Sequence, residues 1–407
     1  MIKKIAVQQL RAGMYVSDFN AGWLEHPFAL NRMKVDGDEQ LAKIHASGIR
    51  ELFIDTSYGL DVSDAPTREE AAVSIERELE QFAQREKPKT QERQVSLADE
   101  LGRAKNAFSE TTKIIRGVMD DVRLGRQIEI ESSRAVVEKI ATSVMRNNNA
   151  MMAMRRLKHL DDYTFLHSAN VCAMMASFCH SMGMDVATIH DVALGSLLHD
   201  IGKMRINLAL LNKPGKLSEE EFRHVKSHVV LGSDLLRQMT GIPKIAFDPV
   251  ELHHERFDGS GYPHGLKEKE ISQVGRMSAI IDVYDAITTN RCYGRLLSPA
   301  DGIRKLFEWS KFHFDPELVQ IFVRSIGIYP VGTLVRLESG RLGIVIEQRP
   351  NNLLAPVVRV IFDIKRNYHI SPEDIDLSRR VGAGSSERIV SHESDIEWKI
   401  DIARFLQ

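Results

Sequence analysis

The sequence is short of cysteine, of long apolar runs and of net charge, and each shortage removes a class of protein. Cys172, Cys179 and Cys292 are the three cysteines in 407 residues. Their spacing fits neither a metal–thiolate site nor a disulfide framework, so they suit a reducing compartment. No uninterrupted apolar stretch approaches the ~20 residues that a membrane-spanning helix requires. Met1-Ile2-Lys3-Lys4 leads into a broken apolar pattern rather than a signal-peptide core. The expectation is a cytoplasmic protein with no membrane insertion. A formal charge of −2 gives no global electrostatic reason to bind nucleic acid or an anionic membrane. Apolar residues are plentiful. At 43% of the chain they suffice for buried cores, and the length allows two or three domains.

The chemistry-bearing residues gather between His167 and Arg291, around Leu198-His199-Asp200-Ile201-Gly202-Lys203. A histidine followed directly by an aspartate offers a neutral nitrogen and an anionic oxygen to one metal-sized space, and an aspartate can bridge two ions. If the helix continues, Lys203 shares a face with Asp200. A lone His-Asp pair carries little weight. Here it is accompanied by His167, His228, His253, His254 and Asp282, giving seven potential ligands within one region. Asp282 lies in Met277-Ser278-Ala279-Ile280-Ile281-Asp282-Val283-Tyr284, too apolar for a surface helix, and an aspartate there is costly unless paired or metal-bound. Any one of these histidines alone would more often be an ordinary core or surface residue. As a set they are not readily explained that way. His180, His190, His224, His264 and His313 fall outside the ligand pattern and read as surface or supporting residues.

With His-Asp at 199–200, His-His-Glu at 253–255 and Asp258-Gly259-Ser260-Gly261-Tyr262-Pro263, the chain resembles the HD-GYP family of cyclic-dinucleotide phosphodiesterases. His167-Ser168, Lys213-Pro214-Gly215-Lys216-Leu217, and His228 with Gly232 match the family's remaining landmarks, over about residues 140 to 330. The resemblance implies a helical metal-dependent hydrolase that opens cyclic di-GMP. It places the metal ligands on His167, His199, Asp200, His228, His253, His254 and Asp282, with Asp200 bridging. His167, His199 and Asp282 would complete one ion, and His228, His253 and His254 the other. Lys203 falls on the proposed acid for the departing ribose oxygen, and Arg291 on a phosphate-binding arginine. The family usually shows Arg-Pro-Tyr and then another basic residue; here Arg291-Cys292-Tyr293 leads to Gly294, so the second contact falls to Arg295 if to any residue.

A phosphodiester repels an anionic nucleophile and has a basic leaving group, and a pair of metal ions addresses both difficulties. Mixed imidazole and carboxylate ligands suit iron or manganese. In the part of the family with a third metal, a glutamate lies four residues before the first histidine. Here that position is Tyr163, a weak ligand, and Asp161 and Asp162 point elsewhere around a helix of 3.6 residues per turn. Two divalent ions per chain are therefore expected, with linear pGpG as the early product and slower conversion to GMP. The loop Gly261-Tyr262-Pro263 sits after two ligands, at the rim of the site, where substrate access or docking of a protein partner is expected. The alternatives are a mixed guanine–adenine cyclic dinucleotide as substrate, a binding module that has lost catalysis, and a more remote HD-type nucleotidase. The complete ligand set opposes the second and the Gly-Tyr-Pro loop opposes the third.

The flanks complete an expected multidomain architecture. A small α/β module spans residues 1–62, with strands at Met14–Val16 and Leu52–Ile54 and a helix from Gly37 to Ala46 closed by Gly48. It resembles an uncharacterised domain often found ahead of HD-GYP domains, through Gly13-Met14-Tyr15-Val16, Trp23 and His26-Pro27-Phe28, and a sensory or partner-binding role is the default for it. Residues 63–139 read as a charged helical linker region. Gln84 to Ser96 is a solvated linker, and beyond it Leu97, Leu101, Ala104, Phe108, Thr111, Ile115, Val118 and Val122 form a narrow seam on a long helix. That seam fits a homodimer or packing within the chain, with the dimer favoured. A second helix is expected to stop near the asparagines at 147–149. The catalytic domain, mainly α-helical, covers 140–330; in it a capping box, Ser218 with Glu221, starts the helix carrying His228. Residues 331–407 read as a small β-rich module with four strands, a tip at Gly382 to Ser386, and a terminal helix from Ile396 to Leu406.

Overall fold

The computed structural model describes residues 1–21, 28, 31–85, 95–156, 163–213, 215, 217–289, 296–349, 352–379 and 387–406. The masked stretches take with them Trp23, most of the charged linker and the Gly382–Ser386 tip. The architecture is mainly helical, with a small antiparallel sheet at each end.

The first sheet is built from β1 (Ile2–Ala6), β2 (Tyr15–Asp18), β3 (Met33–Lys34) and β4 (Glu51–Asp55), in the order β1-β4-β2-β3, with α1 (Asp38–Ala46) inserted before β4. In β1 burial alternates along Ile2-Lys3-Lys4-Ile5-Ala6, with register Ile2 to Asp55 and Ala6 to Glu51. The broken apolar pattern at the N-terminus is thus a strand whose two adjacent lysines point to opposite faces, Lys3 sharing the buried face with Ile5. This domain has its own core, including Met14, Val16, Phe19, Ile44, Leu52 and Ile54.

The helices begin with α2 (Arg68–Arg85), α3 (Leu97–Arg123) and α4 (Ile130–Met154). Ser96 caps α3 by accepting a hydrogen bond from the Asp99 amide. The seam on α3 is used inside the chain: Ala104, Phe108, Thr111, Ile115, Val118 and Val122 are buried, against α4 and the helix that follows it. This removes the basis for a dimer through that face. Fully burying Ile115 and Met119 contributes about 1.5–3 kcal/mol each. The second helix does not stop at the asparagines. Asn147 leaves helical geometry (φ −158°, ψ 99°), and the chain then resumes as helix to Met154. The Asn147 side chain donates to the Val95 carbonyl and its oxygen accepts the Asn149 amide, which holds the kink.

α5 (Tyr163–Ser181) and α6 (Val186–Leu198) form the centre, followed by α7 (Leu208–Leu211), α8 (Glu219–Lys226), α9 (His228–Gln238), α10 (Phe247–Leu252), α11 (Gln273–Thr288), α12 (Pro299–Trp309) and α13 (Pro316–Ile326). The capping box at Ser218 and Glu221 is present, but it starts α8, which ends at Lys226; His228 opens α9 instead. α3, α4, α6, α11 and α13 all pack on α5, so it is apolar nearly all round. Polar residues on it are therefore conspicuous.

The last sheet comprises β5 (Leu334–Leu337), β6 (Arg341–Glu347), β7 (Val357–Asp363), β8 (Tyr368–Asp376) and β9 (Ile389–Glu393), in the order β8-β7-β6-β5-β9. The fifth strand was not foreseen, and in place of the terminal helix there is a short 3-10 turn at Ile402–Phe405. One apolar core runs from Ile75 on α2 through the central helices to Leu406. No described helix is long and apolar enough to cross a membrane.

Candidate metal centre

α6 delivers the His-Asp pair. It is capped by Asp185, whose carboxylate accepts the Thr188 amide, and it ends at Leu198. The chain then tightens into a 3-10 turn, Ile201–Arg205. The helix does not continue as expected, yet a 3-10 turn of three residues also brings positions i and i+3 together. Lys203 Nζ lies 2.5 Å from Asp200 Oδ2. A side chain at Gly202 would collide with the His228 carbonyl and the Gly232 amide, so the turn can press directly against α9.

All seven expected ligands converge, and they fall into two sets on either side of the buried Asp200 carboxylate. On one side, Asp200 Oδ2 lies 3.8 Å from His167 Nε2 and 3.5 Å from His199 Nε2. Asp282 Oδ1 is 3.2 Å from His167 Nε2 and 3.9 Å from His199 Nε2. On the other, Asp200 Oδ1 faces His228 Nε2 at 3.4 Å and His253 Nε2 at 3.8 Å. His228, His253 and His254 form one compact group of donors, and His167, His199 and Asp282 another. His254 Nδ1 and Asp282 Oδ2, 3.7 Å apart, link the two sides.

The outer nitrogens of four histidines are engaged. Nδ1 of His199 donates to the Ser196 carbonyl, that of His228 to Val225 and that of His253 to Pro249, each within 2.7–2.8 Å. Nδ1 of His167 donates to Asp285 Oδ2 at 2.8 Å. In the neutral rings of His199, His228 and His253, Nε2 therefore carries a lone pair inward. Two such lone pairs face each other across 3.3 Å between His228 and His253, and His167 Nε2 lies 3.2 Å from that of His199. Asp200 Oδ1 is buried with no hydrogen-bond partner. Converging lone pairs and an orphaned buried carboxylate oxygen are unfavourable on their own, and a divalent cation satisfies them. The donor set fits metal ions.

The electrostatics of the two sides differ. Burial depresses His228 to about 4, helped by Lys203, and His253 to about 3, helped by His199. Burial also lowers His199, and holds His254 well below the ordinary imidazole value. These rings are in the neutral form that a metal requires. For His167, burial again pushes downward, but Asp282 and Asp285 outweigh it and raise the ring to about 9. Burial pushes Asp200 and Asp282 up, yet both stay well below the usual carboxylate range. Lys203 and His199 act on Asp200, and His167 and His254 act on Asp282.

The glycine-rich loop lies beside the imidazole set. Any side chain at Gly261 would strike the backbone of His254, Glu255 and Arg256. The Tyr262 amide donates to the His254 carbonyl at 3.1 Å, and the Tyr262 ring stacks on the His254 ring at 4.6 Å between centroids. Pro263 follows through a cis peptide. Glu255, fully buried, accepts the amides of His264 and Leu266 and so ties the end of the loop down. Arg291 and Arg295 lie outside the described residues, as do Asp161, Asp162 and the side chain of Tyr163.

The residues that sequence reasoning missed support the ligands. Asp285, fully buried on α11, orients His167 and is itself held by Arg155 at 2.9 Å and the Asn170 amide at 3.1 Å. It sits one helical turn beyond Asp282 in the same apolar helix, and that burial was the available signal. Lys226 lies over the rings of Phe222 and Tyr262, at 4.5 and 4.6 Å; nothing in its sequence setting marked it.

Comparison with known proteins gives the following. Residues 2–133 match a domain of unknown function, DUF3391, and residues 143–318 match the HD domain. The chain is 39% identical over 404 residues to a cyclic di-GMP phosphodiesterase of Pseudomonas aeruginosa, covering 98% of this chain and 94% of the relative. It is 32% identical over 161 residues to a 3'3'-cGAMP-specific phosphodiesterase of Vibrio cholerae, covering 39% of this chain and 31% of that protein. Among solved structures, an HDGYP protein from Bdellovibrio bacteriovorus is similar with a TM-score of 0.46 and 18% identity, covering 79% of this chain and 98% of that one.

Proposed function

Because the chain belongs to the HD-GYP family of metal-dependent cyclic-dinucleotide phosphodiesterases, we propose that it hydrolyses cyclic di-GMP to linear pGpG, and pGpG more slowly to GMP, at a centre for two divalent ions. The observation that carries this reading is Asp200: one carboxylate stands between two sets of three further ligands, with an oxygen turned to each. His167, His199 and Asp282 would hold one ion, and His228, His253 and His254 the other. Iron or manganese suits this mixture of imidazole and carboxylate. Bound there, the ions supply a water of lowered pKa and positive charge for the phosphate oxygens.

The protein's own residues do the rest. Backbone carbonyls and Asp285 fix the tautomers and ring directions before substrate arrives, so no reorientation is needed during reaction. Lys203, a quarter exposed and anchored on Asp200, directs its ammonium to the edge of the site. From there it donates a proton to the ribose 3′ oxygen as the P–O3′ bond breaks and water adds to phosphorus. Arg291 and Arg295 are proposed to hold the phosphate or a guanine edge through their planar donors, and Gly261, Tyr262 and Pro263 to border the entrance. Support for cyclic di-GMP over 3'3'-cGAMP comes from the relative matched over nearly its whole length.

The test is purification without air, metal analysis, and product chromatography with both cyclic dinucleotides. Two ions per chain, faster turnover of cyclic di-GMP, and pGpG accumulating before GMP are the expected results. Faster turnover of 3'3'-cGAMP would reassign the substrate. A third ion at full occupancy, held by Tyr163 or Asp162, would overturn the two-ion centre. Tight binding without turnover in metal-replete protein would make the chain a binding module.

A further inference from the structure

We propose that the N-terminal domain positions the glycine-rich loop beside the ligand cluster, acting through Arg50 on Asp258. Asp258 opens the loop that ends in Gly261-Tyr262-Pro263, and its two oxygens serve different parts of the molecule. Oδ2 accepts from Arg50 Nε at 2.8 Å, across the boundary between the domains. Oδ1 accepts from the Ser260 amide at 3.0 Å and from the Ser260 hydroxyl at 2.6 Å, within the loop. The carboxylate thus joins the first domain to the fold of the loop.

A second contact lies alongside. The turn between α1 and β4 is laid against the loop so closely that a Cβ added at Gly48 would come within 3.0 Å of Ser260 Cβ. Gly48 also holds φ at +82°, where a side chain is strained. From Ser260 the loop continues to Gly261, packed on the backbone of residues 254–256, and to Tyr262, whose ring stacks on His254. A continuous set of contacts therefore leads from Arg50 to a proposed metal ligand. It is a short path, and each step is a hydrogen bond, an ion pair or a packed surface rather than mere proximity.

The domain is anchored elsewhere by contacts that do not touch the loop. Lys4 Nζ pairs with Glu308 on α12 at 2.7 Å, and the Trp309 ring nitrogen donates to the Asn20 carbonyl at 2.9 Å. These hold the domain in place, whereas Arg50 reaches the loop. His313 supports the same carboxylate from below, with Nδ1 3.5 Å from Asp258 Oδ2, and its carbonyl accepts the Phe257 amide. The Arg50 side chain is 39% exposed and the Asp258 side chain 14%, so the pair is partly screened and its influence is graded rather than all-or-none.

This inference rests on the family's hydrolytic activity and not on which cyclic dinucleotide is preferred. The test uses full-length, metal-replete protein and two readouts. The first is kcat/KM on whichever of cyclic di-GMP and 3'3'-cGAMP the wild type hydrolyses faster. The second is hydrogen exchange of the amides at residues 257–266, which needs no turnover. Arg50→Ala is expected to lower kcat/KM by roughly three- to tenfold, as loss of a part-buried charge pair implies. It should also speed loop exchange, with metal content and melting temperature unchanged. Arg50→Lys should recover most of both, because the charge is restored. Lys4→Met, which breaks an anchoring pair away from the loop, should leave both at wild-type values. Wild-type kcat/KM together with wild-type loop exchange in Arg50→Ala would overturn the proposal. So would a loss in Lys4→Met as large as that in Arg50→Ala, which would mean that docking in general, not this contact, matters. Absence of turnover in the wild type would count against the proposed function, while the exchange comparison would still decide this inference.

Discussion

The two sides of Asp200 look alike in outline and differ in charge. Each gathers three ligands around one carboxylate oxygen, but the His167 side includes Asp282 and has Asp285 immediately behind it, while the His228 side is imidazole throughout. The consequence appears in the rings: His167 is raised to about 9 by its two carboxylates, whereas His228 and His253 sit at about 4 and 3. The first side already attracts a cation. The second offers neutral lone pairs and gains charge only from the shared Asp200. Two positions in one centre need not be equal in affinity, and here the carboxylate side should hold its ion more firmly.

Removing the shared element should have the largest effect. Asp200→Ala is expected to empty both positions and lower kcat by about 10³-fold or more, since several kcal/mol of charge stabilisation is lost. Circular dichroism should show the protein still folded, because Asp200 is proposed as a ligand rather than a packing residue. More than a small residual activity in metal-replete protein would rule out bridging. Next, His253→Ala and His167→Ala should separate the sides, each keeping about one ion per chain by metal analysis. Stepwise chelation of the wild type should then strip the His253 side first. Release of both ions together would erase the distinction.

Asp285→Asn sharpens the comparison further. It keeps the shape but removes the charge behind His167, and a loss of roughly 10–100-fold in metal affinity is expected on that side alone. An equal loss on both sides, measured by competition with a chromogenic chelator, would show that Asp285 stabilises the fold rather than its ligand. The smallest effect belongs to Asn170→Ala. It deletes one hydrogen bond to Asp285, worth about 0.5–1.5 kcal/mol, so a loss of only about threefold in affinity should appear, again confined to the His167 side.

The seven proposed ligands were legible through the motifs shared with the family, and Asp282 also through its apolar setting, which costs free energy unless something binds the carboxylate. Asp285 shares that setting with Asp282, yet one faces the cluster and the other the back of a histidine. They lie three positions apart on the helix, and only the packing of α5 against α11 decides which is which. The α3 seam was read correctly as apolar, but a periodicity does not name its partner; α4 and α5 supply it within the chain. The Asn147 kink was half legible. The asparagines marked the break, while the resumption beyond it depends on Val95 and Asn149. At the C-terminus, Ile389–Glu393 has its two apolar residues side by side and no alternation to mark a strand, and its pairing with β5 comes from far along the chain.

The shared core has a practical meaning for how this molecule can be divided. The N-terminal sheet encloses its own apolar cluster, but Ile115, Val118 and Met119 on α3 belong to the same cluster as Val345 and Leu406. A fragment cut at residue 140 would keep every proposed metal ligand and lose the wall they lean on. It would present a raw oily face where α3 had been, inviting aggregation rather than catalysis. The smallest heritable piece able to carry the metal centre is therefore larger than the motif region, beginning on α2 and ending near the last residue.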